Sequence, residues 1–264
     1  MKRAIYQVAV GPKSKLYEQC IESAARYAKE VGADHIVQRQ PKLRIVPDIF
    51  RTNREGKTGG WKKMGYLPIF EKENAFELLG DYDQILILDA DIYIRPTASN
   101  IFEELGDEFA FGGVNECDMP INSKHLAKIQ NYSRMQYGQC HTNNWRQQDS
   151  FGFAFYNMGL MLMNSAKILP YLRNQSPREF LNRPEFRDMV DGVGNYRWST
   201  DQTLLNYWLN KENIPCKNLD WKYNGLYSSL QEGYIEECEF IHFYLRDNLP
   251  ESGEDFNNLI EKII

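Results

Sequence analysis

Nowhere in the 264 residues do the ~18–20 consecutive apolar residues of a bilayer-spanning helix occur, so a membrane span is not expected. A basic excess is also missing: 31 Lys and Arg against 36 Asp and Glu leave −5, which argues against a general nucleic-acid binder. The cysteines (Cys20, Cys117, Cys140, Cys216 and Cys238) are odd in number and scattered, with no Cys-x-x-Cys pair, which disfavours a disulfide framework or a cysteine zinc site. Internal repeats and low-complexity tracts are absent. The apolar run after Lys2-Arg3 is short and gives way to Gly11 and Lys13, so it reads as a first strand rather than a secretory leader, and the expected location is the cytoplasm. What is present is ordinary for a soluble globular chain, 42% apolar, 25% charged and 13% aromatic. A chain of this length can bury about 75% of its unfolded surface, enough for one large domain.

Ala4–Val10 is rich in strand-forming residues and stops at Gly11-Pro12. Leu16, Cys20, Ile21, Ala24, Ala28 and Val31 follow at helical spacing, with Gly32 where a C-terminal cap belongs. A short strand at 35–37 completes a βαβ opening, the way parallel sheets covered by helices begin. Residues 39–63 set Arg39, Lys42, Arg44, Arg51, Arg54, Lys57, Lys62 and Lys63 against Asp48 and Glu55, and Pro41, Pro47, Gly56, Gly59 and Gly60 break any period. This long basic loop is either a solvated excursion or a functional loop that approaches phosphates or an anionic acceptor. Further expectations are a helix over 68–79, a helical piece over 100–105, a strand over 108–111 ending in a Gly112-Gly113 turn, strands within 151–164, a helix over 200–209 and a late strand over 239–244. Residues 115–148 are polar and carry no clear period, and 232–255 hold eight acids against Arg246 alone.

Ile85-Leu86-Ile87-Leu88 is apolar without alternation, the pattern of a strand buried on both faces. It ends in Asp89-Ala90-Asp91, and open α/β sheets bind ligands at the carboxyl ends of their strands. Alternation points Asp89 and Asp91 to one side with Ala90 facing away. Two carboxylates in one small volume repel each other, which a hard divalent cation such as Mg²⁺ or Mn²⁺ relieves, and that cation can bridge to nucleotide phosphates. The bland alternative is a solvated turn. A phosphatase of the haloacid dehalogenase class, with Asp89 as nucleophile, is a distant second, because the pair lies far from the N-terminus and Tyr93 stands where that class has threonine or valine.

The segment 82–94 resembles the Asp-x-Asp strand of GT-A glycosyltransferases and is most similar to glycosyltransferase family 8, the glycogenin and bacterial galactosyltransferase group. Tyr156-Asn157-Met158-Gly159, Thr200-Asp201-Gln202, Trp221-Lys222-Tyr223-Asn224 and Phe240-Ile241-His242-Phe243 recur in that family's order, and residues 4–17 extend the likeness. The resemblance implies a single GT-A domain with a Rossmann-like mixed sheet, a nucleotide-sugar half over about 1–110 and an acceptor half over about 111–264. It implies transfer of a hexose from a nucleotide sugar, with a UDP-linked donor expected, to a hydroxyl of a glycan or other acceptor, with retention. Asp89, Asp91 and His242 would hold Mn²⁺. Lys72 would approach the donor diphosphate, Asn157 the sugar hydroxyls, and Asp201 and Gln202 the transferred sugar near its anomeric carbon. Ala9 and Val10 would give backbone contacts to the base, Tyr17 would stack on it, and Ala90 would count among the donor-binding residues.

Each residue also has a plainer reading: Lys72 an exposed helix lysine, Asn157 a strand kink, Asp201 a capping acid, His242 a core histidine. His35, His125 and His141 read as surface or structural. Many family members follow His-Phe with a glycine and then a lysine that grips the diphosphate; this chain has Tyr244-Leu245-Arg246-Asp247-Asn248, so Arg246 or a lysine of the basic loop is the expected substitute. An inverting base could come from Asp149 or another acid of the unassigned middle region. A degenerate nucleotide-sugar or glycan-binding protein is the alternative from another class.

Overall fold

The computed structural model describes residues 1–55, 60–140, 145 and 152–261. The expectations for Gly56, Lys57, Gly59, His141, Asp149 and Phe151 lie outside those residues. The βαβ opening forms as strand β1 (Arg3–Val8), helix α1 (Lys15–Glu30) and strand β2 (Asp34–Gln38), with Gly32 just past the helix at φ +67°. Helix α1 buries Leu16, Cys20, Ile21, Ala24 and Ala28, the apolar stripe its spacing predicts. A single helical turn, α2 (Trp61–Met64), interrupts the basic loop.

Where a helix over 68–79 was expected, the chain winds as two 3₁₀ turns, Pro68–Phe70 and Lys72–Leu78. Tertiary anchoring decides this. The buried Glu71 carboxylate accepts the N–H groups of Lys42, Leu43 and Arg44 at 2.7, 3.1 and 2.7 Å and the Gln38 amide at 2.7 Å. The adjacent Lys72 is buried too, and the tighter i→i+3 winding turns both side chains inward.

Next come β3 (Gln84–Asp89), β4 (Ile92–Ile94), β5 (Phe111–Asn115), α3 (Ser123–Tyr137), β6 (Tyr156–Asn164), α4 (Ser165–Leu172), α5 (Pro177–Leu181) and α6 (Arg187–Asp191). Then α7 (Asp201–Lys211), β7 (Cys216–Asn218), β8 (Gly225–Leu226), β9 (Phe240–His242) and α8 (Phe256–Glu261) complete the described strands and α-helices. The main sheet is mixed, in the order β2-β1-β3-β6-β5-β7, and β3 lies inside it between parallel β1 and antiparallel β6. Both of its faces are covered, which is why it lacks alternation. The expected Gly112-Gly113 turn is instead part of β5. Neither glycine has room for a side chain: a Cβ on Gly113 would come within 2.8 Å of the Phe111 ring, and one on Gly112 within 3.2 Å of Leu105. The register slips between Gly112 and Val114, so the pair marks a bulge in close packing.

A second sheet, β4-β9-β8, crosses the end of β3. Its register sets Ile92 opposite His242, and the Phe243 N–H donates to Asp91 O at 2.9 Å. The late strand is thereby stapled to the Asp-x-Asp turn.

The basic loop is partly structural. Arg54 is buried, and its guanidinium donates to the carbonyls of Val190, Met189 and Ser199, at 2.8 Å for the last two. Burial lowers its pKa to about 10, still far above neutrality. Replacing Arg54 with methionine would strand those carbonyls without donors. The expected loss is about 2–4 kcal/mol of stability, read as a lower urea midpoint at unchanged m-value.

Candidate functional site

At the carboxyl end of β3, ligand atoms of Asp89, Asp91 and His242 all lie within 4.8 Å of one another. His242 Nε2 sits 3.3 Å from Asp91 Oδ1 and 3.8 Å from Asp89 Oδ2. Two carboxylates and an imidazole form a donor set suited to a borderline divalent cation.

The other face of the imidazole is fixed by a chain whose directions follow from one backbone donor. The Gly159 N–H can only donate, and it donates to Asn157 Oδ1 at 3.0 Å. The Asn157 amide therefore turns its nitrogen to Glu116 Oε2 at 3.2 Å. Asn224 Nδ2 also donates to Asn157 Oδ1, at 3.0 Å, leaving Asn224 Oδ1 to accept from His242 Nδ1 at 3.0 Å. With the proton held on Nδ1, the Nε2 lone pair faces the acids, as a ligand needs. Gly159 leaves room for this histidine: a Cβ there would lie 2.3 Å from His242 Cε1 and 2.7 Å from its Nδ1.

Lys72 is not the exposed helix lysine of the plain reading. Its ammonium lies 2.7 Å from Asp89 Oδ1, 2.7 Å from Asp201 Oδ2 and 2.8 Å from Met158 O. Burial alone would lower its pKa, but the carboxylates of Asp201 and Asp89 outweigh that and raise it, so it stays charged. Burial pushes the Asp201 pKa up against the pull of Lys72, and burial with Asp201 nearby drives that of Glu73 well above the usual range. Asp201 begins α7 behind the N-cap Thr200, where the helix dipole favours an acid. The next residue, Gln202, accepts from the Met158 N–H at 3.2 Å through Oε1.

Gln202 and Asn157 also line a cleft of about 430 Å³ with Glu116, Tyr132, Phe155, Trp198 and Tyr244. Sequence reasoning missed its polar floor. His125, read as surface or structural, is buried with Nε2 2.9 Å from Glu116 Oε1, and its Nδ1 faces Ser229 Oγ and the Tyr244 hydroxyl at 2.9 and 3.1 Å. One hydrogen-bonded path thus runs from Asp91 through His242, Asn224, Asn157 and Glu116 to this cleft. Asn224 lay inside a recognised segment without a role. Glu116 and His125 are nine residues apart across a loop and carried no period to signal them.

Ala9 and Val10 follow β1 and are partly exposed, Tyr17 lies in the first turn of α1, and Ala90 is buried in the Asp-x-Asp turn. Burial, with Asp91 and Asp89 nearby, pushes the Tyr17 phenol up to about 12. Arg246 lies over the Tyr17 ring at 5.8 Å and donates to Ser252 O and Glu254 Oε1. Leu245, two residues after Phe243, holds φ +57°, the left-handed conformation that glycine adopts more freely.

Gly159→Ala drives the His242 ring aside, so cation binding measured by calorimetry should weaken at least about 10-fold. Burial lowers the His242 pKa, but Asp91 and Asp89 together outweigh it and raise it, and that of Asp91 is lowered by His242 against burial. In the cation-free protein the histidine's contribution to stability is complete below about pH 6.5 and fades as pH climbs through the raised value. The Asp91 contribution is present above about pH 4 and fades as pH falls through the lowered value. A cation displaces the imidazole proton, so its affinity should be higher at pH 8 than at pH 6 in the same titration.

No protein-family model matches the sequence, and no curated protein matches it. Solved structures do. The galactosyltransferase LgtC in complex with donor and acceptor sugar analogues superposes with a TM-score of 0.55 at 14% identity, over 98% of this chain and 96% of that one. Mouse xyloside xylosyltransferase 1 in its apo form gives 0.51 at 14% identity, over 95% and 100%. A glycosyltransferase involved in glycosylation of the major capsid of PBCV-1 gives 0.50 at 13% identity, over 98% and 100%. A mixed sheet with an Asp-x-Asp turn at the end of its central strand, similar along nearly its whole length to these enzymes, is the GT-A glycosyltransferase fold.

Proposed function

We propose that this protein is a Mn²⁺-dependent retaining glycosyltransferase that moves a hexose from a UDP-linked donor to a hydroxyl of a glycan or other acceptor. The observation that carries the reading is the Asp89–Asp91–His242 group with its imidazole already turned by Asn224. Those three side chains would hold the cation, which when bound neutralises charge on the departing nucleoside diphosphate. The protein's own groups do the rest. Tyr17 offers a ring to the base, and Ala9 and Val10 offer backbone groups. Ala90, the middle residue of the Asp-x-Asp turn, belongs to the same donor-binding set. Lys72, fixed between Asp89 and Asp201, brings a permanent positive charge next to the diphosphate and sets Asp201 toward the sugar. Gln202 and Asn157 present amides at the cleft wall to sugar hydroxyls. The aromatic rings of Tyr132, Phe155, Trp198 and Tyr244 suit the apolar face of an acceptor sugar. In a front-side displacement the leaving phosphate oxygen accepts the acceptor's proton, so no carboxylate base is needed.

Glu116 favours a second reading. It is a buried carboxylate lining the cleft, and as a base it would direct inversion. The anomeric configuration of the product, read by NMR, separates the two: retention supports the first reading and inversion the second.

Thermal melting with a set of nucleotide sugars, with and without Mn²⁺, should single out a UDP-hexose that raises the midpoint by several degrees only when the ion is present. Asp91→Asn should keep the melting temperature of the cation-free protein within a few degrees and lower transfer by at least about 100-fold. Unchanged turnover in that variant would remove the metal assignment.

A further inference from the structure

Among the described residues, eight large apolar side chains are exposed, and four of them fall between positions 46 and 64. Phe50 is 93% exposed, Ile49 63%, Val46 52% and Met64 40%. The same stretch is where the chain reverses its charge. Of the cations here, Arg39 pairs with Glu18, Arg51 with Asp188 and Asp191, and Arg54 is buried, which leaves Lys42, Arg44, Lys62 and Lys63 as the outward-facing positive charges on a chain of −5. Lys42, Arg44, Lys62 and Lys63 are exposed, and the two limbs that carry them are tied by the Leu67 N–H, which donates to Ile45 O at 2.7 Å.

The apolar tip is held out rigidly. Asp48 O accepts from Arg51 and Thr52 N–H at 3.1 and 2.9 Å, and its carboxylate accepts from Phe50 N–H at 3.0 Å, which closes a tight turn. That turn is bolted to α6. The Asp48 N–H donates to Asp191 Oδ1 at 2.8 Å, and Arg51 pairs with Asp191 and Asp188 at 2.9 and 2.5 Å. Ile49 and Phe50 thus project from a braced turn, and little further ordering is needed to insert them elsewhere. Three residues on, Arg54 grips the Ser199 carbonyl, next to the cleft residue Trp198, so the tip and the cleft wall share one mounting.

We propose that this loop is a membrane-surface anchor: Val46, Ile49 and Phe50 enter the interface of a bilayer while Lys42, Arg44, Lys62 and Lys63 meet anionic headgroups. The shape favours a lipid surface over a protein. A stable protein interface takes about 800 Å² from each partner, built around a broad apolar centre. Here a convex tip of a few apolar side chains lies within exposed charges that are mostly of one sign, the pattern of interfacial anchors. An enzyme held this way would meet acceptors that are themselves fixed to the bilayer. The anchor does not depend on the transfer reaction, so either can fail without the other.

Flotation of the full chain with vesicles tests it. Wild type should rise with vesicles of phosphatidylcholine mixed with phosphatidylglycerol, and at least about 10-fold less with phosphatidylcholine alone. Ile49→Ser with Phe50→Ser should lower flotation at least about 10-fold while leaving the melting temperature unchanged, since both side chains are exposed. Lys62→Glu with Lys63→Glu should erase the preference for the anionic lipid. Wild type staying at the bottom of the gradient with both lipids, or the serine pair floating like wild type, overturns the proposal. So does a serine pair that alters oligomeric state in solution without altering flotation, which would assign the tip to a protein contact.

Discussion

Negative charge crowded into one small volume is the constraint around which this structure is arranged. Asp89, Asp91 and Asp201 converge where β3 meets α7, shielded from water on most sides, and like charges so placed cannot persist without partners. Lys72 and His242 are those partners within the chain. Their own burial would discharge them, yet the acids hold both toward the protonated form. Three acids still face two cations, and the proton on His242 occupies the position that a divalent cation would take.

Supporting contacts link that group to the cleft. Gly159 is small so that the imidazole can lie against β6, and its N–H sets the direction of every hydrogen bond from Asn157 to His242. The same chain reaches Glu116 and His125 under the aromatic cleft. A network whose members are all satisfied resists rearrangement, because turning any one amide leaves a buried donor facing a donor. The group that would hold a donor and the cleft suited to an acceptor are therefore parts of one braced unit.

Local patterns were readable where burial and periodicity act within a few residues. The stripe of α1, the unalternating run of β3 and the capped start of α7 follow from spacing alone, and the Asp-x-Asp turn lies at a strand end where chemistry is expected. Misreadings occurred where distant contacts overrode the local pattern. Residues 68–79 wind as 3₁₀ turns because Glu71 is bonded to three backbone amides of another loop, and Gly112-Gly113 mark close packing rather than a turn. Arg54 looked like one of many loop cations, yet it fastens that loop to α6.

By itself the sequence determined the βαβ opening and the kinds of chemistry available: a buried strand, a pair of acids after it and a late strand ending in histidine. Tertiary structure alone decided that Lys72 faces inward, that Asn224 turns His242, and that Glu116 and His125 form the floor of a cleft. The physical reason is register. Which side chains meet depends on how strands far apart in the chain align, and the pairing of Ile92 with His242 is a property of the folded sheet that no local spacing encodes.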